Sequence, residues 1–166
     1  YDHEVQGRMT LRPLAGAHRD APMDGCALDP LRDGSHQVVV SCGLALAMGE
    51  VDPYQMACHS VDEALRNCIC SGGSLERAAL LDNYAWGDVK DPAILGQIVE
   101  CSRGAADAAR AYQTPFISGK DSLHNTYRAG GVSRSIPPVL LVSAISIAAG
   151  PLRVPGSDLK EAGSVM

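Results

Sequence analysis

The sequence predicts an α/β fold, with strand and helix in alternation. Short apolar or β-branched runs alternate with two long segments of helical period, the order expected of such a domain. Both helical segments open on the same Asp-Pro dipeptide, at Asp52-Pro53 and Asp91-Pro92. Aromatic residues make up only 4% of the 166 residues, so the core must be built from Ala, Val, Leu and Ile.

Residues 1–36 are rich in Pro, Gly, Asp and Arg without clear periodicity, and read as an extended arm with loops. Within them Ala21-Pro22-Met23-Asp24-Gly25 is a turn carrying a carboxylate. Gln37 to Ser41 is a β-branched run, a buried strand. Asp52 then caps a helix with Pro53 in its first turn, and Gly72-Gly73 ends it after about Cys70. Arg77 to Leu81 reads as the next strand, followed by Asp82-Asn83-Tyr84-Ala85-Trp86-Gly87. From Asp91 a second helix runs through Tyr112, with Ile94, Ile98, Cys101, Ala105, Ala108 and Tyr112 on one face. Pro115 to Ser118 is a short strand, Gly130-Gly131 a turn, and Pro138 to Ala149 a long apolar segment suited to the middle of the sheet. The domain is therefore expected over 37–150, with 151–166 a linker and the start of a further element. An opening at Tyr1 and a close on DLKEAGSVM suggest a piece of a longer polypeptide.

Composition narrows the function. A net charge of −5 argues against a nucleic-acid or membrane footprint, but not against a nucleotide held by a local lysine and a metal ion. No apolar run approaches the ~20 residues of a membrane span, and no signal peptide is visible. Six cysteines without a CxxC pair read as reduced thiols of a cytoplasmic protein, and the five histidines lack zinc-ligand spacing.

The segment TPFISGKDSLHN (114–125) carries the most chemistry. An apolar run stops at Gly119 and is followed by Lys120, Asp121 and Ser122, as if a strand delivered a cation, a carboxylate and a hydroxyl to its carboxyl end. Lysine suits phosphate oxygens, and a carboxylate suits the Mg²⁺ that rides on them. It is not a P-loop, which requires glycine where this chain has Pro115. On the first helix Glu63 and Asn67 stand one turn apart on one face, beside Asp62. A carboxylate and an amide oxygen so placed make a hard-cation pair, or equally a solvated helix face. With Asp24, Asp82 and Asp121, four or five oxygen ligands would converge at one end of one sheet. Trp86, the single tryptophan, is better read as a packing anchor than as a stacking platform. Spacing alone leaves a Mg²⁺–nucleotide site and a plain structural domain both open.

The segments YDHEVQG (1–7), DPYQMACHSVDEALRN (52–67), LLDNYAWG (80–87) and TPFISGKDSLHN closely resemble phosphoribosylformylglycinamidine synthase, specifically the second of its two aminoimidazole ribonucleotide synthetase-like amino-terminal domains. DLKEAG (158–163) resembles the start of the domain that follows. The resemblance implies an α/β domain of the α+β kind, a mixed sheet packed on helices, whose sheet is completed by pairing with a second such domain. It implies a fragment of the ligase that uses ATP and glutamine-derived ammonia to convert formylglycinamide ribonucleotide to formylglycinamidine ribonucleotide in purine biosynthesis. By the same resemblance Asp24, Glu63, Asn67 and Asp121 match metal-ligand positions for Mg²⁺, and Lys120, Ser122 and Asn83 match contacts to ATP or ADP. The catalytic histidine falls in the first half of the enzyme, outside this chain, so the fragment alone is expected to be inactive. Implied partners are that first half, the carboxyl-terminal domains, a glutaminase domain or subunit and, for the isolated piece, a second copy as a homodimer. The alternative is a structural dimerisation domain of the same enzyme with no nucleotide. Two motifs depart from the family: APMDGCALDP stands for GPxDAAVLRP, and SCGLALAMGEVDPY for SNGxNPxYGxxDPY. The second change leaves the loop Leu44 to Gly49 unspecified. His124 stands where Asn is usual.

Overall fold

The computed structural model describes residues 7–16, 18–151 and 161–163. Most of the YDHEVQG segment and the first half of DLKEAG thus lie outside the described residues.

The strands are β1 (Met9–Leu11), β2 (Leu14–Ala15), β3 (Ala21–Pro22), β4 (Gly25–Leu28), β5 (His36–Gly43), β6 (Ala78–Ala85), β7 (Phe116–Ser122), β8 (Thr126–Ala129), β9 (Val132–Ser135) and β10 (Val139–Ala149). The helices are α1 (Pro53–Cys70) and α2 (Pro92–Tyr112). Six strands form one sheet in the order β1-β4-β5-β10-β6-β7, while β2-β3 and β8-β9 are separate two-stranded ribbons. The β6–β7 pair is parallel and the other pairs of the large sheet are antiparallel, so the sheet is mixed.

The Asp-Pro signals work as predicted. Asp52 Oδ1 accepts from Gln55 N at 3.0 Å and Asp91 Oδ1 from Ala93 N at 2.9 Å, each satisfying a helix-start donor that would otherwise lack a partner. The apolar run from 139 is the central strand, flanked by β5 and β6. Its alternation is strict: Leu140, Val142, Ala144, Ser146 and Ala148 are buried, and the residues between them are less so. The buried set faces α1, which lies across β5 and β10; α2 packs against α1 and reaches β6 where Tyr84 Oη meets Ser102 Oγ at 3.3 Å. Two buried hydroxyls on this face are paired. Ser41 Oγ donates to Ala64 O at 2.7 Å, and Ser146 Oγ donates to Ser74 O at 2.8 Å. Trp86 is 1% exposed, the packing anchor rather than a platform.

Three segments differ from the sequence expectation. Part of the supposed arm, β1 and β4, joins the large sheet, because Gly25 to Leu28 pairs with the long β5. The second and third predicted strands run further than expected. β6 includes Asp82 to Ala85 and β7 includes Gly119 to Ser122, so the GKDS loop is itself a strand. Parallel pairing with β6 supplies the backbone partners that hold those polar residues extended. The loop left unspecified is a short 3-10 turn, Leu46–Met48, tied down by Ala45 N donating to Ser60 Oγ at 3.1 Å.

The opposite face of the sheet carries no helix among the described residues. Cys26, Val38, Val40, Cys42, Leu141 and Ile145 stand there half-buried, and Ile147 is 37% exposed.

Candidate functional site

Gly43 ends β5 beneath α1. A Cβ there would lie 2.2 Å from Ser60 O and 2.5 Å from Ala64 N, so only glycine lets the helix come this close. The approach brings two α1 side chains onto the strand end. Glu63 Oε2 accepts from Leu44 N at 2.5 Å, and Asn67 Nδ2 donates to Cys42 O at 2.9 Å. Asp24, just before β4, joins them through the backbone, its carbonyl accepting from Cys42 N at 3.0 Å. Burial pushes the Cys42 thiol pKa up, and the nearby charges of Asp24 and Glu63 push it further.

These three residues keep oxygens to spare. Holding the Asn67 nitrogen against Cys42 O frees its Oδ1, Glu63 Oε1 is uncommitted, and the exposed Asp24 carboxylate has no side-chain partner among the described residues. All are hard oxygen donors, the set that Mg²⁺ prefers, and two or three protein ligands suffice when phosphates and water complete the shell.

The other predicted residues occupy the far side of the same sheet end. Gly43, Val142, Asp82 and Gly119 share one row across β5, β10, β6 and β7. Asn83 stands opposite Lys120, and Tyr84 opposite Asp121, one and two residues further along. Alternation puts Asp82 and Asp121 on the helix side and Asn83, Lys120 and Ser122 on the uncovered side. Lys120 Nζ donates to Ser122 Oγ. The sequence pattern counts Asp82 among the oxygen ligands converging at the sheet end. Instead it is half-buried, with its carboxylate against Gly119, where a Cβ would sit 2.2 Å from Asp82 Oδ1. Burial first, then the charge of Asp121, raises its pKa from the ordinary carboxylate value, while the Lys120 N–H works against the shift.

One expectation therefore needs correction. Glu63 and Asn67 come together and Asp24 meets the same strand end through its backbone, but Asp121 does not join them around one cation within a single chain. Its strand is three places from β5. At about 4.8 Å per strand that is about 14 Å, whereas oxygens sharing one Mg²⁺ lie about 4 Å apart at most. Among the described residues no group of three or more His, Cys, Asp and Glu is spaced to hold a metal ion by itself. Spacing in sequence carries no lateral distance, which depends on strand order. Nor is the site a closed pocket. A cleft of about 430 Å³ between α1 and α2, lined by Tyr54, His59, Asp62, Asp107 and Tyr112, contains none of the predicted ligands except the neighbouring Asp62.

Two helices on one face of a mixed sheet, with no helix on the second face among the described residues, define a two-layer α+β domain. The chain belongs to the family described as AIR synthase related protein, N-terminal domain, which matches residues 23–148. It is 35% identical over 172 residues to the phosphoribosylformylglycinamidine synthase subunit PurL of Anaeromyxobacter sp. (strain K), an alignment covering 100% of this chain and 21% of that protein. The PurL subunit of Thermoplasma volcanium is 27% identical over 146 residues, covering 87% of this chain and 19% of the relative. The chain thus spans about a fifth of the length of these curated relatives. The fold matches the structure of PurLQS from Thermotoga maritima with a TM-score of 0.72 at 21% identity, over 90% of this chain and 22% of that one. T. maritima PurL complexed with ATP matches with a TM-score of 0.65 at 19% identity, over 76% and 20%.

Proposed function

We propose that this chain is the second amino-terminal domain of a phosphoribosylformylglycinamidine synthase and contributes half of a Mg²⁺–nucleotide site. The observation that carries the reading is the gathering of Asp24, Glu63 and Asn67 at the Gly43 end of β5, each with an oxygen left free. In this reading those three hold the metal that neutralises ATP or ADP phosphates. Lys120, Ser122 and Asn83, with Asp121 behind them, form a second set of polar groups on the other side of the sheet end. A cation and a carboxylate set too far apart to meet in one chain suit sites finished by another domain. The half-buried apolar face supports the same reading, because a sheet face of that kind is stable when covered. The companion would be the first half of the synthetase, with the carboxyl-terminal domains and a glutaminase completing a cytoplasmic ligase. When bound, the metal supplies charge compensation for phosphoryl transfer to the amide oxygen, while this chain's residues position the nucleotide.

Calorimetric titration of Mg²⁺–ADP into the full-length parent protein tests this. Glu63→Gln should weaken Mg²⁺-dependent binding at least about tenfold, the loss expected when a metal site is disturbed. Unchanged affinity would remove Glu63 from the site. The apolar sheet face favours a second reading, a pairing domain without nucleotide. That reading predicts no Mg²⁺-dependent binding that responds to this domain's residues.

A further inference from the structure

Ala85 and Ser122 are the last partners in register between β6 and β7, and β7 is last in the sheet order. Ser122 therefore sits at the end of a strand with a single neighbour, where local opening costs little. Asn125 supplies the missing contacts. Its Nδ2 donates to Ser122 O at 2.7 Å and to Trp86 O at 3.1 Å. The backbone adds two bonds across the same gap, Trp86 N to Ser122 O at 2.9 Å and Asn125 N to Trp86 O at 2.9 Å. Each carbonyl thus accepts twice, which uses both of its lone pairs. Because both partners are acceptors, the amide can only turn its nitrogen toward them.

The clamp is tied to fixed points on both sides. Trp86 is buried in the core, its ring 5.5 Å from that of Tyr84. Asn125 is itself half-buried, and its carbonyl accepts from Ile136 N at 3.1 Å. The chain after it is pinned by Asp88: Asp88 N donates to Thr126 Oγ1 at 2.9 Å, and Arg128 Nη2 donates to Asp88 Oδ2 at 2.5 Å. From the clamp a short path leads to the polar set. Asn125 holds Ser122 O, and Ser122 Oγ accepts from Lys120 Nζ. A displaced Ser122 would draw Lys120 with it.

A lysine that meets phosphate oxygens acts through its placement, and a displacement of about 1 Å can cost as much as a hundredfold. Both bonds of the Asn125 amide go to main-chain carbonyls, so its effect on Lys120 and Ser122 runs through the backbone. A plain turn-forming role would account for the bond to Ser122 O, three residues back. It would not account for the bond to Trp86 O, 39 residues away in sequence on the neighbouring strand's continuation. We propose that Asn125 is a positioning residue, which clamps the ends of β6 and β7 so that Lys120 and Ser122 are held to receive the phosphates of a nucleotide. The inference rests on the nucleotide reading above and adds to it the residue that sets the geometry of its second polar set.

Calorimetric titration of Mg²⁺–ADP into the full-length parent protein, carrying Lys120→Ala, Asn125→Ala or both, tests it. Lys120→Ala should weaken binding at least about tenfold, the worth of a hydrogen bond to a charged group. Asn125→Ala should weaken it at least about fivefold, the worth of one ordinary hydrogen bond. Its melting temperature should stay at the wild-type value, because Ser122 O and Trp86 O each keep a backbone donor. The loss in the double variant should fall short of the product of the two single losses by at least about twofold, since residues that act through one another couple. If Asn125→Ala lowers the melting temperature, Asn125→Asp, which keeps the shape and removes the donor, must show the coupled loss with a wild-type melt. The inference alone is overturned by losses that multiply, by a wild-type affinity of Asn125→Ala beside a weakened Lys120→Ala, or by a lowered melting temperature in both Asn125 variants. Lys120→Ala at wild-type affinity would instead overturn the nucleotide reading of this strand end, and the inference with it.

Discussion

Asp82 shows how one carboxylate reports on its surroundings. Its pKa is raised, chiefly by burial and then by Asp121. A carboxyl whose folded pKa exceeds its unfolded value of about 3.9 burdens the fold when ionised. The burden is absent below the unfolded pKa and complete above the folded one. Asp82→Asn should therefore raise the melting temperature at neutral pH, and the gain should shrink as the pH is lowered toward about 4. A gain that is the same at both pH values would mean that ionisation is not its source. At this scale the sequence was only partly legible. The residue types Asp24, Glu63 and Asn67 in their segments suggested hard-cation chemistry before any fold was known. That Asn67 would spend its nitrogen on Cys42 O, leaving oxygen outward, is set by the helix's approach over Gly43 and has no local signature.

The helices were readable because their signals are local: an Asp cap, proline in the first turn and a 3.6-residue period act within a few residues. Strand ends were not, since β6 and β7 extend through polar residues only because they pair with each other. The ribbon β8–β9 was legible only as its Gly-Gly turn, its anchor Asp88 lying about forty residues upstream of Arg128, well beyond any local pattern. Two glycines of α2 separate local propensity from packing. Gly104 faces α1, where a Cβ would lie 2.2 Å from Tyr54 O, while Gly96 has nothing within 4 Å. Gly104→Ala should destabilise by about 1–3 kcal/mol through overpacking, and Gly96→Ala should stabilise by up to about 1 kcal/mol through helix propensity. Thermal melts moving in the same direction would show that the helix pair is not packed as described.

For the whole molecule, the question is what covers the open face and finishes the sheet end. Strand order, which fixes the lateral separation of Asp121 from Glu63, is a long-range property that the sequence pattern did not reveal. The isolated chain should hide its apolar face in a two-fold pair, as closed symmetric dimers commonly do. Val40 and Ile145 are direct cross-strand neighbours on that face. Ile145→Lys should return the pair to monomer by light scattering, with helix content unchanged; a dimer that persists would put the contact elsewhere. The central claim is that Asp24, Glu63 and Asn67 form a metal half-site for a nucleotide. The most direct measurement is anomalous diffraction from crystals of the full-length protein grown with Mn²⁺ and ADP. The account predicts a metal peak at direct bonding distance, about 2.1 Å for Mg²⁺-type oxygen ligation, from Glu63 Oε1 and Asn67 Oδ1, with the diphosphate on its open side. A metal–ADP site in this domain that leaves Glu63 and Asn67 without metal contact would contradict it.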